Sequence, residues 1–268
     1  MALTGSMGPS PARADLFDRL EAGGALIMGH RTDAAPFAFI RTNRPVGFSV
    51  DLCDLVAAQL RAQLPEWSGE ARWTAVSVTE RFDALESGGI DMLCGATSVT
   101  EERRLRAAFS RTIFITESAI LVDAEAFEAE AWGQRIGVLG ATTSLKTIDQ
   151  LLSDDGGEFT ELTAFATRPD AVAALKRGAI DSLFGDKVLL EAIIGAYPER
   201  YVLSGSEFGE ERYAIAFRRD EPRLVAAADA ALSAAFRAGE IERLHQQWFD
   251  GAPMRDDLRA AFKTADAR

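Results

Sequence analysis

The sequence predicts an α/β protein made of two lobes. The first observation is that a short segment occurs twice in the chain in similar form. ALESGGID at residues 84–91 and ALKRGAID at residues 174–181 each combine a helix end, a glycine and the start of a short apolar strand. The second is a change of composition at residues 124–132, an Ala- and Glu-rich segment after which the strand and helix pattern starts afresh. Two α/β units separated by such a segment indicate two lobes.

The third observation concerns the last part of the chain. Two Ala-rich helical patterns, at 220–237 and 240–249, follow the strands of the second unit and have no strands there to cover. We expect them to pack on the first unit, so the chain passes between lobes at about Val122 and again at about Tyr213. Two such passages side by side form a hinge with a cleft beneath it, where ligands commonly bind. The predicted lobes are residues 13–122 plus 213–268, and residues 123–212.

Hydrophobic periodicity and helix-breaking residues place the elements along the chain. In the first unit the pattern predicts a helix at 15–21, a strand at 25–30, a helix at 49–64, a strand near 71–78, a helix at 79–87, a strand ending at 92–94 and a helix from Thr100. A long β-branched strand at 112–123 leads on to a strand-turn-helix at 135–152, strands at 159–165 and 180–185, and helices at 168–178 and 186–197. A strand at 212–217 and a short helix at 256–262 flank the two Ala-rich helices.

Composition and charge exclude several classes of function. The 268 residues are 47% hydrophobic and 26% charged, which is ordinary for a globular protein. A net charge of -12 argues against binding to nucleic acid, because neutralising phosphates requires clustered Lys and Arg. No apolar run approaches the roughly 18 residues of a membrane span. Residues 1–12 are expected to be a flexible leader or a cloning remnant, and we find no signal peptide in them.

The cysteines and histidines do not form a metal-binding pattern. Cys53 and Cys94 allow one pairing, which we expect as a disulfide in an oxidising compartment and as two buried thiols otherwise. Neither belongs to a CxxC motif, and the chain has only two histidines, His30 and His245. We therefore expect no zinc site and no cofactor, with His30 in a structural role.

The strongest local pattern for a site is the strand-to-helix turn IDMLCGATSVTEER at residues 90–103. Gly95 ends a buried strand and Thr100 begins a helix. Such turns at the carboxyl ends of strands form the ligand crevice of open α/β sheets, and the first helical turn favours an anion. Arg103 lies in that turn and needs an anionic partner there. Either a bound carboxylate or the neighbouring Glu101 or Glu102 supplies it.

A resemblance to a known family rests on seven segments, in this order: GHRTDAAPFAF, PVGFSVDLC, RFDALESGGIDMLCGATSVTEER, FSRTIFI, GDKVLL, RYAIAFRRD and AGEIERLHQQWF. They resemble the polar amino-acid-binding proteins of ABC importers, solute-binding protein family 3, and within it the glutamate/aspartate-binding subgroup. The resemblance covers residues 15–262. It implies a periplasmic-binding-protein-like fold of type II, with two hinge crossings. It also implies a monomer in the periplasm, a free amino acid as ligand, an importer permease as partner and no enzymatic activity.

The resemblance implies residues that hold the common part of an amino acid. Arg103 would bind the α-carboxylate, together with the hydroxyl of Ser98 and the backbone at Ala96. Asp186, after the strand LFG of the second lobe, would bind the α-ammonium. Ala96 departs from the subgroup, which has serine there, so one hydroxyl is missing. One cation and one anion on opposite lobes suit a zwitterion, and they couple its binding to closure of the cleft.

Other residues implied by the resemblance face the second lobe or the ligand side chain. Thr142 and Thr143 would supply N–H and hydroxyl groups from the turn LGATTS. Arg31 stands at the position that reads the ligand side chain, where glutamate/aspartate-binding relatives also carry arginine, and Arg81 matches a further arginine of the subgroup. Arg168 replaces a histidine of the subgroup, which puts its contact with the ligand in doubt.

Each of these residues also has a local interpretation. Arg31 can pair with Asp33 two positions on, and Arg81 can be an exposed cation near Glu80. Asp186 can cap the helix that follows it, which is compatible with a ligand contact.

Two other functions remain open at this stage. Some relatives on this fold are cyclohexadienyl dehydratases, which need a proton donor poised over the leaving hydroxyl. We find no lone Glu, Asp or His singled out for that role. The chain can also be an extracytoplasmic sensing domain of a receptor.

Overall fold

The computed structural model describes residues 15–128, 133–154 and 161–263. The predicted leader at 1–12, residues 129–132 and the first two residues of the strand predicted at 159–165 lie outside these ranges. The helices are α1 Leu16–Glu21, α2 Phe48–Gln63, α3 Arg81–Ser87, α4 Glu101–Arg104, α5 Ala124–Glu128, α6 Thr143–Asp154, α7 Arg168–Lys176, α8 Lys187–Ala196, α9 Pro222–Arg237, α10 Glu240–Trp248 and α11 Asp256–Lys263. The strands are β1 Leu26–His30, β2 Asp33–Ala34, β3 Ala38–Arg41, β4 Arg44–Val46, β5 Ala71–Ala75, β6 Met92–Cys94, β7 Ala107–Phe109, β8 Phe114–Asp123, β9 Arg135–Leu139, β10 Glu161–Phe165, β11 Ser182–Asp186, β12 Tyr201–Tyr213 and β13 Ala216–Arg218.

The first lobe is built on a five-stranded sheet in the order β5-β1-β6-β13-β7. β1 runs parallel to β5 and β6, whereas β13 is antiparallel to β6 and β7. The largest cluster of buried apolar side chains joins this sheet to α1, α2, α9, α10 and α11. The Ala-rich helices α9 and α10 therefore pack on the first sheet, as their lack of strands to cover predicted.

The second lobe is built on a sheet in the order β10-β9-β11-β8-β12. β9 is parallel to β10 and β11, and β8 is antiparallel to β11 and β12. Successive side chains of β8 alternate between the two faces, because a strand has a period of two. Ala119 and Leu121 join one apolar cluster with α7 and α8, and Ile120 and Val122 join the other with α6. Both faces of the sheet are thus covered by helices.

The β-branched run before residue 123 belongs to the second sheet over its whole length. Phe114 pairs with Tyr213 and Val122 pairs with Ser182. β8 pairs with β11 and β12 only, whereas Phe114 and Ile115 at its start pack in the apolar cluster of the first lobe, so this strand spans the passage between the lobes. The chain leaves the second sheet at Tyr213. The division of the chain into lobes at residues 122 and 213 stays a prediction.

The strand predicted at 212–217 is in fact divided between the two sheets. Its first two residues end β12. This 13-residue strand also includes residues 204–209, for which no element was predicted. β12 is the edge strand of its sheet, and its pairing with β8 has register shifts. Gly205 and Gly209 adopt φ of +87° and +57° there, a left-handed conformation that favours glycine. An exposed, irregular edge strand of this kind lacks the apolar alternation that identifies strands.

Cys53 of α2 and Cys94 at the end of β6 form a disulfide. Both cysteines are fully buried. The bond ties α2 to the strand that leads into the predicted site, so it fixes the start of that turn. A crosslink over a sequence separation of 41 residues typically stabilises a protein by about 2–4 kcal/mol.

Candidate functional site

A cavity lies between the carboxyl ends of the parallel strands of the two sheets, where β1 and β6 face β9 and β11. All the residues predicted as ligand-binding line it: Arg31, Arg81, Ala96, Ser98, Arg103, Thr142, Thr143, Arg168 and Asp186. The remaining lining is mainly apolar and comes from the second lobe: Leu139, Ser144, Ala171, Leu183, Phe184, Gly185 and Leu189. Residues far apart in the chain therefore share one enclosed space, although their role in binding remains a prediction.

Arg103 is fixed at the start of α4 by its own turn. The hydroxyl of Thr100 accepts a hydrogen bond from the Arg103 amide at 3.1 Å, and Arg103 Nη1 donates to the carbonyl of Ser98 at 2.9 Å. The two neighbouring glutamates do not neutralise Arg103, since Glu101 pairs with Arg104 and Glu102 with Lys146. Burial lowers the pKa of Arg103. The turn therefore presents a half-buried guanidinium to the cavity.

Asp186 ends β11 and precedes α8, and its carboxylate is held by two hydroxyl donors. Ser144 Oγ donates to Oδ1 at 2.8 Å, and the hydroxyl of Tyr213 donates to Oδ2. The side chain makes no capping hydrogen bond to α8, so the local interpretation of Asp186 as a helix cap does not describe its carboxylate. Tyr213 lies where the chain leaves the second sheet. The carboxylate is therefore oriented by a residue of the passage between lobes.

Arg31 makes the local pair that the sequence left open. Its Nε donates to Asp33 Oδ1 at 2.9 Å, and the Arg31 side chain is 4% exposed. Arg31 thus lines the cavity with part of its charge already neutralised from within the first lobe.

Arg81 is buried and only partly hydrogen-bonded. It is 2% exposed, so its interpretation as an exposed cation near Glu80 is wrong. Its Nη2 donates to the carbonyl of Ala141 in the second lobe at 3.2 Å, whereas Nε and Nη1 have no hydrogen-bond partner among the described residues. Burial, together with the charges of Arg103 and Arg31, lowers the pKa of Arg81 to about 9. Buried donors without a partner are costly, and they mark a position for an acceptor.

The two lobes are in direct contact around the cavity. Ser98 Oγ and Thr143 Oγ1 lie 3.4 Å apart, and Arg168 donates from its backbone amide to Asp33 Oδ2 at 3.0 Å. Thr142 Oγ1 instead donates to the carbonyl of Leu139 at 2.6 Å, which shapes the turn of the second lobe. The cleft is therefore closed in this structure.

Sequence reasoning missed three polar residues around the cavity, and it named a fourth, Asp33, only as a partner of Arg31. Ser144 and Tyr213 hold Asp186, and Asp33 pairs with Arg31. Glu211 of β12 is buried behind Ser98 and Thr143, and burial raises the pKa of its carboxyl. Ser144 belongs to the turn that was recognised and could have been included. Tyr213 and Glu211 reach the site through the pairing of β12 with β8, which no local pattern shows.

The fold and the cavity define a two-lobed ligand-binding protein of the periplasmic-binding-protein type. The chain belongs to the bacterial extracellular solute-binding proteins, family 3, whose family model matches residues 26–251. Members of this family bind amino acids and work with ABC importer permeases. Among the described residues, no helix combines the length and the apolar character needed to cross a bilayer.

Individual relatives differ in the ligands that their names state. The chain is 24% identical over 264 residues to the glutamate/aspartate import solute-binding protein of Escherichia coli (strain K12), covering 96% of this chain and 87% of that protein. It is 25% identical, with a TM-score of 0.76, to the arginine-, lysine-, histidine-binding protein ArtJ of Geobacillus stearothermophilus, covering 88% of this chain and 99% of that one. An ancestral amino acid-binding protein, a precursor of cyclohexadienyl dehydratase, shares the fold with a TM-score of 0.73 and 21% identity over 88% of this chain and all of that one (100%).

Proposed function

We propose that this protein binds a free acidic L-amino acid, glutamate or aspartate, in the cavity between its lobes and delivers it to the permease of an ABC importer. In this account it acts in the periplasm as a monomer. The observation that carries the proposal is the buried and partly unpaired Arg81, a second guanidinium in the cavity in addition to the half-buried one of Arg103. A ligand with two carboxylates supplies an acceptor to each of them. The similarity to the Escherichia coli glutamate/aspartate import protein supports the same choice.

The charges of the cavity fit such a ligand group by group. The α-carboxylate would lie on Arg103 with the hydroxyl of Ser98, and the α-ammonium on Asp186. The side-chain carboxylate would accept from one of the two unpartnered donors of Arg81, Nε or Nη1. Arg31 also lines the cavity, but its Nε already donates to Asp33. This changes the assignment made from the sequence alone, in which Arg31 reads the ligand side chain.

The energies are of the right order for tight binding. Hydrogen bonds to charged groups contribute about 1.5–3 kcal/mol each in net terms. Three such contacts contribute about 4.5–9 kcal/mol before the cost of ordering the ligand and closing the cleft. A micromolar complex needs roughly 8 kcal/mol, so it requires contacts near the upper end of this range together with further hydrogen bonds. A neutral or basic side chain would leave the donors of Arg81 unsatisfied in a dry site, so we expect these ligands to bind more weakly.

The dehydratase alternative has less support in the cavity. Asp186 is the only carboxyl among the lining residues of the described chain, and its oxygens already accept from Ser144 and Tyr213. Glu211 is the nearby carboxyl with a raised pKa, but it lies behind Ser98 and is not part of the lining. A general acid needs to reach the leaving hydroxyl. Turnover of prephenate or arogenate by the purified protein would favour the enzyme.

A thermal-shift screen of the common L-amino acids tests the proposed ligand class. At 100 times its dissociation constant a ligand stabilises the folded protein by about 2.7 kcal/mol. For a chain of this size that corresponds to a rise of roughly 5–10 °C in the melting temperature. We expect this rise with L-glutamate or L-aspartate, and a smaller one with their amides at equal concentration. A larger shift with arginine, lysine or histidine would contradict the assignment.

A further inference from the structure

Asp33 is a charged residue of the first lobe that contacts both lobes at once. It forms the two-residue strand β2 with Ala34, and its side chain is 15% exposed. Oδ1 accepts from Arg31 Nε in the same lobe at 2.9 Å. Oδ2 accepts from the backbone amide of Arg168 in the second lobe at 3.0 Å, and the Asp33 carbonyl accepts from Arg168 Nε, also at 3.0 Å. One residue thus makes two hydrogen bonds across the cleft.

The second lobe presents a favourable partner to this carboxylate. Arg168 begins α7, whose amides in the first turn have no acceptor within the helix. Thr167 caps the helix by accepting from the Asp170 amide, which leaves the Arg168 amide for Asp33. An anion at a helix N-terminus is stabilised by the helix dipole, and here the Arg168 side chain adds a full positive charge. The contact therefore combines a dipole, a charge and two hydrogen bonds.

Closing the cleft brings the guanidinium groups of Arg31 and Arg168 together. Burial lowers the pKa of Arg168, and so does the charge of Arg31. Asp33 lies between these two cations and compensates their repulsion. Burial raises the pKa of the Asp33 carboxyl, but the charge of Arg31 and the Arg168 amide outweigh it, and its pKa is lower than usual. The carboxylate is thus ionised in the closed form.

We propose that Asp33 is a positioning residue for ligand binding, whose carboxylate holds Arg168 and α7 against the first lobe and so stabilises the closed cleft around any amino acid in the cavity. Its contacts are made by the protein alone and do not involve the ligand side chain. Asp33 therefore sets the overall affinity of the site, while Arg81 sets the preference for acidic ligands.

The inference rests on the proposed binding site but not on the choice of ligand, and the variant Asp33→Asn tests it. This substitution keeps the shape of the side chain and removes its charge. Calorimetric titrations of the wild type and the variant with L-glutamate and L-glutamine should give dissociation constants about tenfold higher in the variant, by the same factor for each ligand that binds. Asp170→Asn is the matched control. It removes an exposed carboxylate from the first turn of the same helix without touching the first lobe, and it should leave affinity within about twofold.

Two further measurements separate closure from a general loss of structure. In an Arg168→Met background the effect of Asp33→Asn should fall below about threefold, because the repulsion that Asp33 compensates is absent. Small-angle X-ray scattering of the ligand-free proteins should give a larger radius of gyration for Asp33→Asn than for the wild type.

Unchanged affinity in Asp33→Asn would overturn the inference, and so would a loss confined to acidic ligands, since Asp33 would then act on ligand charge. If the wild type binds no free amino acid, the proposed function fails separately. Scattering then decides the role of Asp33, and equal radii of gyration would refute it.

Discussion

Replacing Arg103 with methionine is expected to abolish binding of every amino acid, whatever its side chain. Its guanidinium is half-buried in the cavity wall and donates to the carbonyl of Ser98, and we propose that it binds the α-carboxylate that all free amino acids share. Removing one partner of a buried, hydrogen-bonded charge pair costs about 2–5 kcal/mol. The dissociation constant should therefore rise by about 100-fold or more for each ligand that the wild type binds.

Calorimetric titration of Arg103→Met with the ligands found in the thermal screen measures this effect. Arg104→Met is the matched control, because Arg104 is the next residue of α4, is largely exposed and pairs with Glu101. It should bind like the wild type, since exposed pairs contribute little. If Arg103→Met retains affinity within threefold of the control, the α-carboxylate lies elsewhere and the assignment fails.

The second large effect is expected from Arg81→Met, and it has two parts of opposite sign. Binding of L-glutamate or L-aspartate should weaken by about 30-fold or more, because the side-chain carboxylate loses its guanidinium. The ligand-free protein should become more stable by about 1–3 kcal/mol, because two buried donors without partners are replaced by an apolar side chain. A residue that costs stability in the empty protein and contributes affinity in the complex is typical of a functional site.

Two measurements on the same variant test both parts. Denaturant unfolding of the ligand-free protein gives the change in stability, and titration with L-glutamine is an internal control for affinity. Glutamine keeps the groups for Arg103 and Asp186 but lacks the second carboxylate, so its affinity should change by less than about threefold. Equal weakening of glutamate and glutamine would show that Arg81 acts on closure, through its bond to the carbonyl of Ala141, and not on ligand charge.

Arg103 was predicted from its own strand-to-helix turn, and the other candidate residues were implied by the resemblance to a family whose motifs lie in short segments of the chain. Arg103 and Ser98 share one strand-to-helix turn, and Thr142 and Thr143 share another. Asp186 follows a buried strand directly. Local geometry places each of these groups at the carboxyl end of a strand, and the pairing of the strands brings those ends together around one cavity.

What the sequence could not show depends on contacts between distant segments. Asp33 has an obvious neighbour in Arg31, but its second partner, Arg168, is 135 positions away. Tyr213 was placed only in a strand at the passage between lobes, yet its hydroxyl donates a hydrogen bond to Asp186. Whether Arg31 or Arg81 is available to the ligand side chain depends on which of them has a local anionic partner. Spacing alone allows both Arg31 with Asp33 and Arg81 with Glu80.

The fold was likewise predicted for elements that their own sequence pattern identifies. Helices and buried strands were placed by their own periodicity, and the repeat identified two units. The sheet to which a strand belongs is a property of its partners, so the pairing of β8 with β11 and β12 was not evident from its own residues. The edge strand β12 was missed in part for the same reason, because it is recognisable mainly by its pairing with β8.

The central claim is that Arg103, Asp186 and Arg81 each bind one charge of an acidic amino acid. Calorimetric titration of the wild type with L-glutamate and three analogues, each lacking one of those charges, tests it most directly. The analogues are glutarate without the ammonium, 4-aminobutyrate without the α-carboxylate, and L-glutamine without the side-chain charge. We expect L-glutamate to bind at micromolar concentration or below and every analogue to bind at least about 30-fold more weakly, as the loss of one buried charged partner predicts. An analogue that binds as tightly as L-glutamate would show that the group it lacks has no partner in the cavity, and would contradict the account.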